Sequence, residues 1–221
     1  LLISSRLTRE NKPFDRDGMR SVTEDIMNTF KAGPHAGLFD GGESMQGREI
    51  LVAVTGGIAA YKAATLVSRL VQQGNGVTVM MTPSAEEFVG EATFAALTQR
   101  PVAREVFESQ AFPLGAHIEL TRNAELLCIA PASANFIAKA AQGHADDLIS
   151  TAYLAFKGPV VMAPAMNTNM WEHPAVQRNL EQLQSDGVVC VPPGEGWLSC
   201  RDVGSGRMAE PEQILEFIGQ H

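Results

Sequence analysis

The chain has 221 residues, 45% of them hydrophobic and 19% charged, and a formal net charge of -8 at pH 7. That length and mix can bury one substantial core and excludes a fibrous or disordered chain. The acidity argues against a nucleic-acid partner and an anionic membrane surface, both of which need clustered cations, and favours a small-molecule ligand.

Residues 1–46 show no sustained helical or strand period and mix charges with Gly and Pro, so a flexible extension is expected, with one short helix around residues 22–30. The chain opens on Leu1 rather than Met, which fits a fragment or an unusual start. Residues 49–54 read as a strand, 58–73 as an amphipathic helix, 76–81 as a second strand and 85–97 as a helix. A candidate strand over 102–107 precedes a strand over 125–130 and helices over 134–141 and 147–156. The run 160–163 is a buried strand stopped by Pro164; then come a helix over 174–184, a strand over 188–191, a long loop over 192–209 and a closing helix over 211–218. Strands alternating with helices, several of them apolar throughout, predict an α/β fold: a doubly wound parallel sheet in one domain over 47–221. No apolar run is long enough for a transmembrane span and no secretory signal is evident, so a cytoplasmic location is expected.

In such a sheet ligands bind at the carboxyl ends of the strands. After the first strand come Thr55, Gly56, Gly57 and Ile58, where adjacent glycines allow a tight turn and the free amides of a helix start suit a phosphate. The second strand ends in Thr82, Pro83 and Ser84 rather than in the acidic residue that holds an adenosine ribose, which favours a mononucleotide over NAD. A G-x-G-x-x-A match over 204–209 follows a loop and is rejected as a dinucleotide site. Ser133 and Asn135 follow the strand ending at Ala130, and Ala165 to Asn169 follow the one ending at Ala163. Helix capping explains these polar residues about as well as ligand binding does.

His117 reads either as a loop histidine of no special role or as a general base or oxyanion partner. The histidines and cysteines have no metal-ligand spacing, and no metal is expected. Cys128 and Cys190 sit in apolar strands as small hydrophobes, whereas Cys200 lies in the polar loop 192–209. That loop reads as a lid with Gly194, Gly196, Gly204 and Gly206 as hinges, Trp197 and Leu198 as an apolar cover, Cys200 as a proton donor and Arg207 as an anion partner; the plain alternative is a mobile surface loop.

Four separated stretches, TGGIAAYK at 55–62, PASANFIAKAAQG at 131–143, PAMNTNMW at 164–171 and GSGRMAEP at 204–211, together closely resemble the cysteine-decarboxylase flavoproteins over residues 48 to 219. The likeness is greatest to the branch that decarboxylates 4'-phosphopantothenoylcysteine in coenzyme A biosynthesis, as the decarboxylase half of a bacterial bifunctional protein. The resemblance implies a flavodoxin-like sheet that binds FMN, in homotrimers or assemblies of trimers with the site at a subunit interface. It further implies that Gly56, Gly57, Ile58, Thr82, Ser84, Ser133, Asn135 and Ala165 contact FMN. His117 matches the family's active-site histidine, Asn167 the asparagine that holds the substrate carboxylate, and Cys200 the cysteine of a substrate-covering flap, with Met170 and Arg207 beside the substrate.

The chemistry implied is oxidation of the thiol-bearing carbon to a thioaldehyde by the flavin, loss of carbon dioxide to an enethiolate, and return of the electrons while Cys200 supplies a proton. In this sequence Ser199, Cys200 and Arg201 replace the Ala-Cys-Gly common in the family's flap. An arginine there favours the thiolate, a poorer acid, unless it is turned away. The chain stops at His221 where the bifunctional proteins continue, so the ligase activity is not expected from this sequence, and a separate synthetase is one candidate partner. Two rival readings are an oxidative decarboxylase of a peptide's C-terminal cysteine, which does not need Cys200, and a non-catalytic FMN-binding regulatory relative. A flavin prenyltransferase lacks the Asn-containing motif.

Overall fold

In β1 (Glu49–Val54) Ile50, Val52 and Val54 pack into one apolar core and Leu51 and Ala53 into a second, so the strand has no solvent face and no place for a polar residue after Glu49. The same demand shapes β2 (Gly76–Met81), β3 (Leu126–Ala132) and β4 (Val160–Pro164). With the short β5 (Val189–Cys190) they form a parallel sheet in the order β2-β1-β3-β4-β5, the flavodoxin-type order expected from the alternating pattern. A computed structural model describes residues 47–107, 112–199, 201 and 203–221. The expected N-terminal extension and Cys200 lie outside these residues.

On one face lie α1 (Ala60–Gln72), a single turn α2 (Pro83–Glu86), and α3 (Glu91–Thr98). The other carries α4 (Ala116–Asn123), α5 (Ala134–Gln142) and α6 (Leu148–Ala155). The turn α7 (Thr168–Trp171) and α8 (Pro174–Ser185) follow β4; α8 covers the same face as α5, and its residues Leu180 and Leu183 are buried there. The closing α9 (Pro211–Gly219) returns to α1, with Ile214 and Ile218 in the first core.

Four expectations change. The helix expected over 85–97 is two helices, because Gly90 adopts an extended backbone and restarts the chain as the cap of α3. The strand expected over 102–107 reduces to one parallel bridge between Ala103 and Met80. The loop around His117 is the first turn of α4, a helix whose only buried residues are Ala116 and Leu120, too few to print a period. Finally, the loop 192–209 contains an antiparallel hairpin, β6 (Gly194–Trp197) and β7 (Val203–Arg207), made of glycine-rich strands without apolar alternation.

Candidate active site

The chain reverses its direction of growth between β1 and β3, which opens a crevice at their carboxyl ends. Thr55 closes the base of that crevice. Its buried hydroxyl donates to the Pro131 carbonyl at 2.7 Å and accepts from the Ser133 amide at 2.9 Å, fixing the glycine turn after β1 to the Ser133 turn after β3.

Above it, among the described residues, no hydrogen bond engages the amides of Gly56, Gly57, Ile58 or Ala59, which stand at the positive end of α1. Gly57 has nothing within 4 Å of where a side chain would start, so the turn is open to a ligand. Gly56 is required for a different reason. A Cβ there would lie 2.5 Å from Ser84 Cβ, so only glycine lets the β1 turn and the β2 turn meet.

Three of the candidate polar residues do cap helices. Thr82 accepts from Ala85 N at 3.2 Å, Ser133 from Phe136 N at 3.3 Å, and Asn167 from Met170 N at 2.9 Å. Capping and ligand binding are compatible here. A cap occupies an oxygen lone pair and leaves the hydroxyl hydrogens of Thr82 and Ser133, and both amide hydrogens of Asn167, as donors. The crevice thus offers donors from three turns, which suits an anionic ligand. Ala165 is half-buried, with its amide on the Ala132 carbonyl at 3.0 Å; Asn135 and Met170 are exposed beside these turns.

β7 runs against the Asn167 turn. Met166 N donates to Gly206 O at 2.9 Å and Thr168 Oγ1 to Ser205 O at 3.0 Å. A side chain at Gly204 would overlap Thr168 Oγ1, and one at Gly206, where φ is +112°, would reach 2.5 Å from Met166 O. These two glycines, read from sequence as hinges, are sites of close approach. Leu198 is buried and Trp197 is 63% exposed, so the expected apolar cover divides between packing and surface. Arg201 donates its amide to Leu198 O and has a φ of +69°, so it occupies a left-handed position that suits the glycine of the family pattern better.

Arg207, the candidate anion partner, pairs with Glu210 at the end of β7. Its Nη2 lies 2.9 Å from Glu210 Oε1, an oxygen that also receives the ammonium of Lys62 at 3.0 Å. Lys62, with Arg207, holds the Glu210 carboxyl below its ordinary range. Sequence reading passed over both Thr55 and Lys62 as working residues. A lysine within a helix stripe otherwise made of Ala60, Ala63, Leu66, Val67 and Leu70 is the signal for Lys62, since a buried cation needs a partner.

His117 is half-buried, and its Nδ1 is buried without a hydrogen-bond partner among the described residues. The structure places it at the start of α4, and no hydrogen bond joins it to Asn167 or the glycine turn. Burial pushes the thiols of Cys128 and Cys190 up to about 12. No group of three metal-ligating side chains occurs among the described residues. No described helix is long and apolar enough to cross a membrane. A cavity of about 750 Å³ lies at the opposite, amino edge of the sheet beside Glu49, Thr78, Arg100 and Arg122. None of the candidate residues lines it, and Glu49 and Arg100 pair with each other.

An open parallel sheet with phosphate-suited turns at its switch point defines a nucleotide-binding α/β protein of the flavodoxin type. Residues 40–221 match the family model described as Flavoprotein, and the chain belongs to that family. It is 46% identical over 177 residues to the coenzyme A biosynthesis bifunctional protein CoaBC of Bacillus subtilis (strain 168), covering 80% of this chain and 44% of the relative. Identity to the CoaBC protein of Haemophilus influenzae is 43% over 174 residues, 79% of this chain and 44% of that one. The chain therefore spans less than half the length of these relatives. Among solved structures, a PPC decarboxylase mutant complexed with pantothenoylaminoethenethiol superposes with a TM-score of 0.70 at 31% identity, covering 78% of this chain and 97% of that one. The peptidyl-cysteine decarboxylase EpiD superposes at 0.66 with 25% identity, covering 78% of this chain and 99% of that one.

Proposed function

We propose that residues 47–221 bind FMN at the carboxyl edge of the sheet and decarboxylate 4'-phosphopantothenoylcysteine to 4'-phosphopantetheine, a step of coenzyme A biosynthesis. The observation that carries this reading is Asn167, whose Oδ1 is held by the Met170 amide while the side chain stays exposed. Its two amide hydrogens are thereby turned outward, where they can grip a carboxylate. The relatives that match at 40–46% identity are bifunctional coenzyme A biosynthesis proteins, which favours the phosphopantothenoyl substrate over a peptide.

The residues fit FMN on the structure's own terms: unengaged amides from Gly56 to Ala59 for a phosphate, an open face at Gly57, and hydroxyl donors on Thr82 and Ser133. Ser84, packed on Gly56, and Asn135 and Ala165 at the neighbouring strand ends complete the cradle. Bound flavin supplies a reversible two-electron acceptor, without which loss of carbon dioxide from an unactivated cysteine carboxylate has nowhere to place charge. Asn167 orients the carboxylate, and exposed Met170 adds an apolar wall. His117, half-buried at the start of α4, would assist deprotonation or orient the substrate. Cys200 would donate the proton that replaces carbon dioxide, and because the two electrons taken up at the start are handed back to the product, the overall reaction needs no external oxidant. Arg207, paired with Glu210 at the end of β7, is the candidate partner for an anionic part of the substrate.

The same reading includes a cytoplasmic homotrimer or assembly of trimers, residues 1–46 as an extension outside the FMN-binding domain, and a synthetase supplying the cysteine adduct. Incubation with phosphopantothenoylcysteine and, separately, a cysteine-terminated peptide tests it. Carbon dioxide is expected from the first; release only from the peptide identifies the alternative enzyme, and release from neither identifies a non-catalytic relative.

A further inference from the structure

Lys62 is 5% exposed, and the partners of its ammonium lie about 150 residues away in the segment after β7: Met208 O at 2.9 Å and Glu210 Oε1 at 3.0 Å. The position is unfavourable for a lysine on its own account. It falls in the first turn of α1, where aligned peptide dipoles repel a cation and no acidic residue compensates. Burial adds a desolvation penalty that only good partners offset. What the contact achieves is a link between two parts of the site. The first turn of α1 directly follows the glycine turn, and β7 is bound through Gly206 O and Ser205 O to the turn carrying Asn167.

We propose that Lys62 is a positioning residue that sets the β6–β7 hairpin, and with it the Asn167 turn, in register with the glycine turn at the start of α1. Apolar packing of Met208, Ala209 and Ile214 in the same core as Ala60 and Ala63 brings the two segments together, and Lys62 adds a directional polar link at the first turn of α1. Glu210 extends the link to β7, because the carboxylate oxygen that meets Lys62 also meets Arg207. Residue register then passes from helix to hairpin to the exposed Asn167 amide. This inference rests on reading Asn167 as the substrate's carboxylate clamp, but its structural half does not depend on the substrate.

The test is hydrogen–deuterium exchange on the full chain, comparing wild type with Lys62→Met, which keeps the apolar stem, and Lys62→Arg, which keeps the charge. Exchange at Met166 and residues 203–207 is expected to quicken roughly tenfold in Lys62→Met, with β1 and β3 unchanged and Lys62→Arg close to wild type. A folded Lys62→Met protein with unchanged exchange there overturns the proposal. If that variant does not fold, Glu210→Gln decides, with roughly threefold faster exchange expected at the same amides; no change overturns it. In turnover, KM for the cysteine-bearing substrate is expected to rise about tenfold with kcat much less affected, and Lys62→Arg to restore it. A fall in kcat at constant KM overturns the positioning role. Absence of turnover in the wild type refutes the decarboxylase reading and leaves the exchange result to stand alone.

Discussion

The Thr55 hydroxyl accepts the amide hydrogen of Ser133, 78 positions later in the chain, at 2.9 Å. With its own hydrogen on Pro131 O at 2.7 Å, it bridges the two strands that flank the switch point. The glycine turn and the Ser133 turn, two of those that offer donors to an anion, are therefore held by a single buried side chain.

Thr55→Val keeps the shape and removes both bonds. We expect a stability loss of about 1–3 kcal/mol in denaturant unfolding, because the Ser133 amide loses its acceptor. FMN affinity, read by flavin fluorescence, should fall roughly tenfold as the two turns separate. Wild-type affinity in a folded Thr55→Val protein would remove the bridge from the account.

Asn167 separates capping from clamping. Asn167→Asp keeps the acceptor for Met170 N, so its unfolding midpoint should stay near that of wild type. It replaces two donors by a negative charge, and turnover should drop at least about a hundredfold from repulsion of the carboxylate and loss of its bonds. Asn167→Ala should lose activity and about 1 kcal/mol of stability as well. Equal activity in Asn167→Asp and wild type would reduce Asn167 to a cap.

Much of this was legible beforehand. The parallel sheet follows from runs such as 126–130 and 160–163, which are apolar on both faces and cannot sit at a solvated surface. The three turns were legible as polar residues after strand ends. The hairpin was not, because β6 and β7 are glycine-rich and their pairing depends on contact with Met166 and Thr168, far away in sequence. Nor was the commitment of Arg207 to Glu210, or the burial of Lys62, since a charged side chain shows its partner only in three dimensions. α4 was missed because two buried residues do not make a period.

Gly206→Ala tests close approach against hinging. The added methyl would sit 2.5 Å from Met166 O at a φ of +112°, so a cost of about 1–3 kcal/mol is expected from strain and displacement. Calorimetric unfolding reads the loss, and activity should fall with it as the Asn167 turn shifts. A neutral substitution would mean that β7 moves freely and that the hinge reading was correct.

Thiol labelling near pH 8 distinguishes the cysteines. Cys128 and Cys190 are buried, with thiols pushed up to about 12, and should react only after denaturation. Native protein should therefore take up at most one label, at Cys200. Modification of Cys128 or Cys190 in the native state would contradict the packing of β3 or β5.

The central claim is that the crevice holds FMN and uses it to remove carbon dioxide from phosphopantothenoylcysteine. Mass spectrometry of the product formed by the FMN-loaded chain tests it directly. The account predicts 4'-phosphopantetheine, lighter than the substrate by one carbon dioxide and at the same oxidation level as before reaction; unchanged substrate, or an oxidised enethiol as the sole product, would contradict it.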